Sequence, residues 1–273
     1  MTETKLPRPY YDHAGITIYT GDCREVLPLL EPRSVHSVVT SPPYAEQRKE
    51  LYGGIPEADY PEWTVSWMAA VERVLVTSGS VLINIREHVQ DGQISDYVHR
   101  TRLAVRAAGW FECDELIWVK QNGAPLGHSK RPRRDWERIL WFSRDNQPWC
   151  DAKANGRQSN RATIYSTMNR RAWVHSGNVD KAGSVIARCS DVVTAHLGSS
   201  RTCVHPAAYP PELARWMARL VTPPGGTVLD PFFGSGSTGV GAQAAGFQCI
   251  GIEQRPDYCE IASRRFAQEV LVL

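Results

Sequence analysis

A glycine-rich loop lies between a short apolar stretch and a helix-forming stretch near the end of this chain, and it leaves few folds open. Residues 227–229 are typical of a buried strand, and residues 237–245 are typical of a helix. The loop between them carries the pattern Gly-x-Gly-x-x-Gly at Gly234, Gly236 and Gly239. In such a context the chain passes tightly from a strand of a parallel sheet into a helix and is expected to bind a nucleotide-like ligand at the turn. The alternative is a tight turn that binds no ligand. The loop therefore predicts a Rossmann-like α/β fold.

The rest of the chain shows the same alternation of short apolar runs and helical stretches, which is typical of α/β proteins. At 273 residues, it is expected to form one elaborated domain. Strands are predicted at residues 16–19, 35–39, 81–85, 115–119, 139–142, 227–229 and 249–252. Helices are predicted at residues 23–30, 60–76, 94–108, 211–221, 237–245 and 257–270.

Composition and cysteine usage indicate a cytoplasmic protein without a membrane partner. Hydrophobic residues make up 42% and charged residues 22% of the chain, as in ordinary globular domains. No apolar run is long enough for a transmembrane helix, and the first residues lack the apolar core of a signal peptide. The seven cysteines are scattered and include no Cys-x-x-Cys, which favours reduced thiols.

Basic residues are concentrated in the middle of the chain. Between Lys120 and Arg201 there are 15 Lys and Arg against six Asp and Glu, whereas the remainder holds 16 basic and 23 acidic residues. Such a split is the footprint of a face that binds a polyanion. The alternative is a solvated surface with a chance excess of arginine.

A second loop motif, Ser41-Pro42-Pro43-Tyr44, follows the strand predicted at residues 35–39. The two prolines have no N–H, and the second proline holds the first in an extended conformation. The loop therefore presents mainly acceptors, which are the Ser41 hydroxyl and the carbonyls of Ser41 and Pro42. Together with the flat face of Tyr44, these acceptors suit an aromatic ring that carries an exocyclic amino group, such as cytosine or adenine.

Two acidic residues near the glycine loop bear on its ligand. Glu253 follows the next predicted strand, where a carboxylate can bind both hydroxyls of a ribose. Asp230 directly precedes the loop, and a carboxylate there is unfavourable beside a pyrophosphate but favourable beside an ammonium or sulfonium group. We therefore favour S-adenosylmethionine as the cofactor. A nicotinamide-dependent oxidoreductase is the alternative from another class, but it leaves the Ser41–Tyr44 loop and the basic segment unexplained.

Taken together, residues 40–44 and 230–238 resemble the amino-group DNA methyltransferases, which methylate cytosine at N4 or adenine at N6. Most of residues 16–267 share in the resemblance, and the catalytic loop precedes the cofactor loop, as in the β arrangement of this family. The resemblance implies a Rossmann-like methyltransferase fold that depends on S-adenosylmethionine. Its sheet is expected to be mixed, mostly parallel and seven-stranded, with helices on both faces.

The resemblance also implies roles for individual residues. Ser41, Pro42, Pro43 and Tyr44 would form the catalytic loop, in which acceptors hold the amino N–H bonds and Tyr44 stacks on a flipped base. Asp22 would contact the adenine end of the cofactor. Glu253 would contact the ribose, and Asp230 with the glycine loop would contact the methionine portion. The complete set implied in cofactor binding is Asp22, Cys23, Asp230, Phe232, Gly234, Gly236, Ser237, Thr238 and Glu253.

The expected organisation is a catalytic half at 16–144, an inserted basic segment for target recognition at 145–204, and a cofactor-loop half at 205–273. The expected substrate is double-stranded DNA, and its phosphates would meet basic residues in and before the insertion. A solvated basic loop is the alternative. The candidates for DNA contact are Lys130, Arg131, Arg133, Arg134, Arg157, Arg161, Arg170 and Arg171.

Several alternatives stay open at this level. Serine at the first position of the catalytic loop resembles the N4-cytosine members, but relatives with serine also methylate adenine. A cytosine-C5 enzyme is rejected, since its nucleophilic cysteine follows a proline and the chain has no Pro-Cys dipeptide. Two other functions stay open, a catalytically inactive DNA-binding protein on the same fold and a methyltransferase that acts on RNA or protein. Possible partners are a second copy of the chain, in a homodimer, and a cognate restriction endonuclease. No metal is expected, because the spacing of Cys189, His196, Cys203 and His205 is loose.

Overall fold

A computed structural model describes residues 6–46, 54–90, 92–121, 131–159, 185–196 and 209–270. Within them the chain forms a large sheet of nine strands, which are β1 (Tyr11–His13), β2 (Ile16–Thr20), β3 (Val35–Thr40), β4 (Leu75–Ile85), β7 (Phe111–Gln121), β8 (Trp136–Ser143), β11 (Val192–His196), β12 (Thr227–Asp230) and β13 (Gln248–Glu253). Their order in the sheet is β1-β2-β13-β12-β3-β4-β8-β7-β11. The pairs from β2 to β4 are parallel, and β8 is antiparallel to both of its neighbours.

Two small antiparallel strand pairs lie outside the large sheet. One pairs β5 (Val89–Gln90) with β6 (Gln93–Ile94), and the other pairs β9 (Gln158–Ser159) with β10 (Val185–Ile186). The second pair lies within the segment that the sequence assigns to target recognition.

Helices cover both faces of the sheet. They are α1 (Cys23–Val26, continued by a 3₁₀ turn at Leu27–Leu29), α2 (Tyr60–Val74), α3 (Tyr97–Ala107), α4 (Pro211–Val221), α5 (Ser237–Ala244) and α6 (Pro256–Val270). Helices α1 to α3 pack in one apolar core and α4 to α6 in the other. Neighbouring strand residues divide between the two cores, with Val38 in the first and Val39 in the second. A strand buried on both faces explains the continuous apolar runs of the sequence.

The predicted α/β class is confirmed, and all seven predicted strands and six predicted helices are present within the described residues. The sheet is wider than the expected seven strands because β1 and β11 extend its two edges. Strand β1 has only three residues, two of them exposed, so it leaves no apolar run in the sequence. In β11, buried and exposed residues alternate within a polar surrounding, which hides it from a search for apolar runs.

The parallel part of the sheet places the functional loops at one edge. The carboxyl ends of β2, β13, β12, β3 and β4 share that edge, and the loops that follow β12 and β3 are neighbours because these two strands pair directly. Ligands of open α/β sheets bind at such an edge. Within the described residues, no helix is both long and apolar enough to cross a membrane.

Candidate active site

The carboxylate of Asp230 connects the two loops that the sequence singles out. Its Oδ1 accepts hydrogen bonds from Thr40 Oγ1 at 2.6 Å and from the backbone N–H of Phe232 at 3.0 Å, while its Oδ2 accepts from Thr238 Oγ1. The hydroxyl of Tyr209 in turn hydrogen-bonds Thr238 Oγ1. Thr40 directly precedes Ser41, so Asp230 fixes the start of the catalytic loop against the glycine loop.

Burial determines the electrostatics of Asp230. Only 2% of its surface is exposed, and this burial raises the pKa of the carboxyl to about 6, against the opposing effect of the hydrogen bonds from Thr238 and Thr40. The three hydrogen-bond donors on its two oxygens hold the carboxylate of Asp230 at the base of the glycine loop.

The glycine loop is shaped by two residues in the left-handed region and by a second buried carboxylate. Gly234 has φ 51° and Gly236 has φ 83°, and glycine adopts these values without steric cost. Glu253 Oε2 accepts a hydrogen bond from the backbone N–H of Gly234 at 2.8 Å, and Oε1 accepts from that of Arg255 at 2.9 Å. Burial raises the pKa of Glu253 above its usual value. The residue expected to bind a ribose therefore also holds the loop.

The third glycine of the pattern is required by packing. A Cβ on Gly239 would lie 2.6 Å from Cζ of Phe266 and 2.8 Å from Cζ of Phe233. The rings of Phe233 and Phe266 stack on each other with centroids 6.1 Å apart. Helix α5 can approach α6 and the sheet only because position 239 has no side chain.

The expected adenine end of the site lies after β2. The carboxylate of Asp22 caps α1 by accepting from the backbone N–H of Arg24 at 2.8 Å. The Arg24 guanidinium, 2.6 Å from Asp22 Oδ2, lowers the pKa of that carboxyl. Cys23 is buried, which raises the pKa of its thiol to about 12. Gly21 N–H donates to the carbonyl of Glu253 at 2.9 Å, so Asp22 and Glu253 lie on adjoining strand ends.

This donor set fits a ligand with hydroxyl groups and cationic groups. Asp22, Asp230 and Glu253 place three carboxyl groups at the ends of the adjacent strands β2, β12 and β13. Hydroxyl groups and ammonium or sulfonium groups are favourable partners for carboxylates, whereas the phosphates of a dinucleotide are not. The residues present therefore fit S-adenosylmethionine better than a nicotinamide dinucleotide.

Tyr44 of the catalytic loop is held from behind by a buried polar network. Its hydroxyl donates to Glu137 Oε2 at 2.8 Å and accepts from Asn84 Nδ2 at 3.1 Å. The Ser41 hydroxyl donates to the same Tyr44 oxygen at 3.4 Å. Burial and the Glu137 carboxylate raise the pKa of Tyr44 well above its usual value. Tyr44 is therefore neutral, with its ring in the loop and its hydroxyl turned into the protein.

Glu137, Asn84 and Lys120 are site residues that the sequence analysis missed. They lie on β8, β4 and β7, three neighbouring strands. The ammonium of Lys120 pairs with Glu137 Oε1, and Asn84 Nδ2 donates to Glu137 Oε2 at 2.6 Å. The sequence contains one signal for them, since the charged pair Glu137-Arg138 lies in the strand at residues 136–143, next to the apolar run at residues 139–142. A charged residue in such a position is usually paired.

Aromatic residues of α2 cover the side of Phe232. The ring centroids of Trp63 and Trp67 lie 5.3 and 5.4 Å from that of Phe232. Trp67 is completely buried, so it belongs to the core rather than to a surface for stacking bases. Trp63 is half-buried beside Phe232.

The basic residues before the insertion differ in their surroundings. Arg133 is exposed and pairs with Asp135 at 2.7 Å, and Arg131 is exposed and donates to the carbonyl of Gly92 at 2.6 Å. Arg134 is half-buried. Its guanidinium lies 3.4 Å from a carboxylate oxygen of Glu87, which is only 3% exposed and also pairs with Arg138. Arg134 therefore has a structural contact that its sequence context does not reveal.

The insertion is described only in part. Arg157 is exposed, whereas Lys130, Arg161, Arg170 and Arg171 lie outside the described residues. The first part of the insertion packs on α4, where the backbone N–H of Asp151 donates to the carbonyl of Leu220 at 2.8 Å and Asn155 Nδ2 donates to that of Trp216 at 2.7 Å. Its later part supplies β11 to the central sheet. Residues 145–204 thus contribute to the body of the domain as well as to an insertion.

The metal alternative is only partly covered by the structure, because Cys203 and His205 lie outside the described residues. In the described part of the chain, no group of His, Cys, Asp or Glu is arranged to hold a metal ion.

The fold and the two adjoining loops define a methyltransferase of the Rossmann-like class that depends on S-adenosylmethionine. A family model described as DNA methylase, for N6 and N4 methylation, matches residues 35–264, and the chain belongs to this family. The type II methyltransferase M.ScaI from Streptomyces caespitosus is 28% identical over 97% of this chain and 85% of its own length.

Solved structures show the same fold. The cytosine-N4-specific PvuII DNA methyltransferase has a TM-score of 0.75 at 23% identity and covers 96% of this chain and 89% of its own. TTHA0409 from Thermus thermophilus, solved with S-adenosyl-L-methionine bound, has a TM-score of 0.61 at 25% identity. That match covers 93% of this chain and 95% of the other.

Proposed function

We propose that this protein transfers the methyl group of S-adenosylmethionine to the exocyclic N4 amino group of a cytosine in double-stranded DNA. The observation that carries the proposal is the bond between Thr40 and Asp230, which joins the Ser41–Tyr44 loop to the glycine loop. Acceptors for an amino group and a binding loop for a methyl donor thereby meet at one edge of the sheet. Family membership supplies DNA as the substrate.

The contribution of the protein is mainly positioning. The nitrogen of an aromatic amine is a poor nucleophile, because its lone pair is delocalised into the ring. The Ser41 hydroxyl and the Pro42 carbonyl would accept hydrogen bonds from its two N–H groups and favour a more tetrahedral nitrogen. When bound, the cofactor supplies a sulfonium methyl group that is open to direct attack, so no covalent enzyme intermediate is required.

The target base must leave the duplex to reach this loop. The ring of Tyr44 would stack on the flipped base, and such stacking contributes roughly 1–3 kcal/mol. The Tyr44 hydroxyl bonds to Glu137 and Asn84, which fix the plane of the ring before the base arrives. Arg131, Arg133 and Arg157, all exposed, are the proposed phosphate contacts within the described residues.

The choice of cytosine rests on Ser41 and on relatives. Serine in place of aspartate at the first loop position resembles the N4-cytosine enzymes, and the PvuII enzyme is named as cytosine-N4-specific. Adenine N6 is the second candidate, since both amines donate two hydrogens. Mass spectrometry of nucleosides from DNA methylated by the purified protein separates the two. We expect N4-methylcytosine, and N6-methyladenine alone would overturn the choice of base.

Three substitutions test the division of roles between the loops. Ser41→Ala and Tyr44→Ala should abolish methyl transfer to DNA and leave cofactor affinity within about twofold of the wild type, since neither residue belongs to the glycine loop. Glu253→Gln should instead weaken cofactor binding. The amide of glutamine has only one oxygen, so it cannot accept hydrogen bonds from the N–H groups of both Gly234 and Arg255. Calorimetry that finds cofactor binding lost in both loop variants would contradict this division.

A further inference from the structure

In the hydrogen-bond network behind the catalytic loop, the chemistry of Glu137 determines which group donates and which accepts in each contact. This carboxylate is 6% exposed, and the ammonium of Lys120 compensates its charge. An ionised carboxylate only accepts hydrogen bonds. Asn84 must therefore turn its amide nitrogen toward Glu137, and Tyr44 must donate its hydroxyl hydrogen to Glu137 Oε2.

The direction continues from Tyr44 to Ser41. Because the Tyr44 hydrogen is committed to Glu137, only the lone pairs of its oxygen face the other neighbours. One of these neighbours is Asn84 Nδ2 at 3.1 Å, and the other is Ser41 Oγ at 3.4 Å. In the contact between them, Ser41 is therefore the donor and Tyr44 the acceptor. Both lone pairs of Ser41 Oγ are left to accept from another group.

We propose that Glu137 is a positioning residue, which acts through Tyr44 to hold the Ser41 hydroxyl as a hydrogen-bond acceptor for the amino group of the target base. A carboxylate at position 41 would be an acceptor in any orientation, whereas a hydroxyl can either donate or accept. A serine in this position therefore needs a device that fixes its hydrogen. The inference rests on the proposed function, because it assigns the group that Ser41 accepts from.

A double-mutant cycle between Glu137 and Tyr44 tests this. Tyr44→Phe keeps the stacking ring and removes the oxygen that receives the Ser41 hydrogen. Glu137→Gln replaces the carboxylate by an amide. The NH2 group of this amide then faces either the ammonium of Lys120 or the hydroxyl hydrogen of Tyr44, so two donors oppose each other in one of these contacts. We expect each single variant to lower the single-turnover rate of methyl transfer about tenfold, with cofactor affinity and the KM for DNA within about twofold.

The expected result of the cycle is non-additivity. If Glu137 acts through the Tyr44 hydroxyl, the double variant should be no slower than the slower single variant. A hundredfold loss in the double variant would show independent effects and overturn the proposal, as would an unchanged rate in Tyr44→Phe. The rate of Tyr44→Phe can overturn the proposal in this way even if Glu137→Gln fails to fold.

Further measurements distinguish the positioning role of Glu137 from a purely structural role and from failure of the proposed function. Glu115→Gln removes another carboxylate of the same sheet, on β7, which pairs with Arg102 of α3 and Arg138 of β8, and it should leave the rate unchanged. A merely structural Glu137 would lower the melting temperature and leave the rate of the folded fraction unchanged. A wild-type protein that transfers no methyl group to DNA refutes the proposed function, whereas an active wild type with fully active variants refutes only the positioning role.

Discussion

Thr40 Oγ1 donates a hydrogen bond of 2.6 Å to Asp230 Oδ1, across 190 positions of the sequence. Thr40 ends β3, and Asp230 ends β12, its neighbour in the sheet. One residue after Thr40 the catalytic loop begins, and four residues after Asp230 the first glycine of the cofactor loop follows. In addition to the pairing of β3 with β12, this buried contact thus links the starts of the two loops that the proposed reaction uses together.

Replacing Thr40 by valine should destabilise the protein by about 1–2 kcal/mol, because a buried carboxylate loses one of its donors while the side-chain volume is nearly unchanged. Urea denaturation followed by circular dichroism measures the loss. Thr17→Val is the matched control, since Thr17 on β2 donates at 3.0 Å to the exposed Asp12, and its loss should change stability by less than about 0.5 kcal/mol. Equal effects of the two substitutions would argue against a special role for the Thr40–Asp230 bond.

The pH dependence of stability should reveal the burial of Asp230. Its pKa is raised from the usual 3.8 to about 6, so between these values the folded state keeps a proton that the unfolded chain has lost. The stability that this provides is present below about pH 4 and is lost as pH rises through about 6, by roughly 3 kcal/mol in total. Asp230→Asn should not show this loss.

Denaturation of the wild type and Asp230→Asn between about pH 4.5 and 7.5 tests this, because the difference in stability should move in favour of the variant as pH rises. Asp257→Asn provides a control that should not change with pH over this range. The Arg255 guanidinium lowers the pKa of the exposed Asp257 below its usual 3.8, so its contribution is lost only at more acidic pH and the difference from the wild type should stay constant. Parallel curves for the wild type and Asp230→Asn would contradict the raised pKa.

Gly239→Ala should cost about 1–3 kcal/mol, because the new methyl group would overlap the rings of Phe233 and Phe266. Phe266 is 1% exposed and has little room to move. Thermal denaturation of the variant checks the loss. Adding Phe266→Leu should recover part of it, since the smaller side chain makes space for the methyl group. If the double variant shows only the sum of two losses, overlap with Phe266 is not the cause.

Arg133 and Arg134 should respond differently to substitution by glutamine. At the exposed Arg133, a lost phosphate contact should lower the salt dependence of DNA binding by about one unit of log–log slope and leave stability nearly unchanged. At Arg134, the buried Glu87 loses one of its two arginine partners, so the free energy of unfolding should fall by about 1–3 kcal/mol. Binding titrations at several salt concentrations and urea denaturation separate the effects. An unchanged slope in Arg133→Gln would remove it from the interface.

Much of the fold could be read from local patterns. Apolar runs predict the strands that are buried on both faces, since such strands need apolar side chains at every position. The bounds of α4 agree with the prediction, because Pro211 marks the first turn of that helix. The edge strands β1 and β11 could not be found in this way. One is too short, and the other is apolar only at alternate positions.

The class of the fold and the residues of both loops can be assigned from local sequence, because prolines and glycines restrict the backbone wherever they occur. The residues that support those loops from within the protein can be identified only once the chain is folded. Glu137 lies 93 positions from Tyr44, and no local pattern relates the two. Their contact depends on how β4, β8 and β7 pair, and the burial of Asp230 depends on the packing of both halves of the chain. Hydrogen-bond direction and pKa are properties of such an assembled surrounding, whereas periodicity and backbone restriction are already present in the order of the residues.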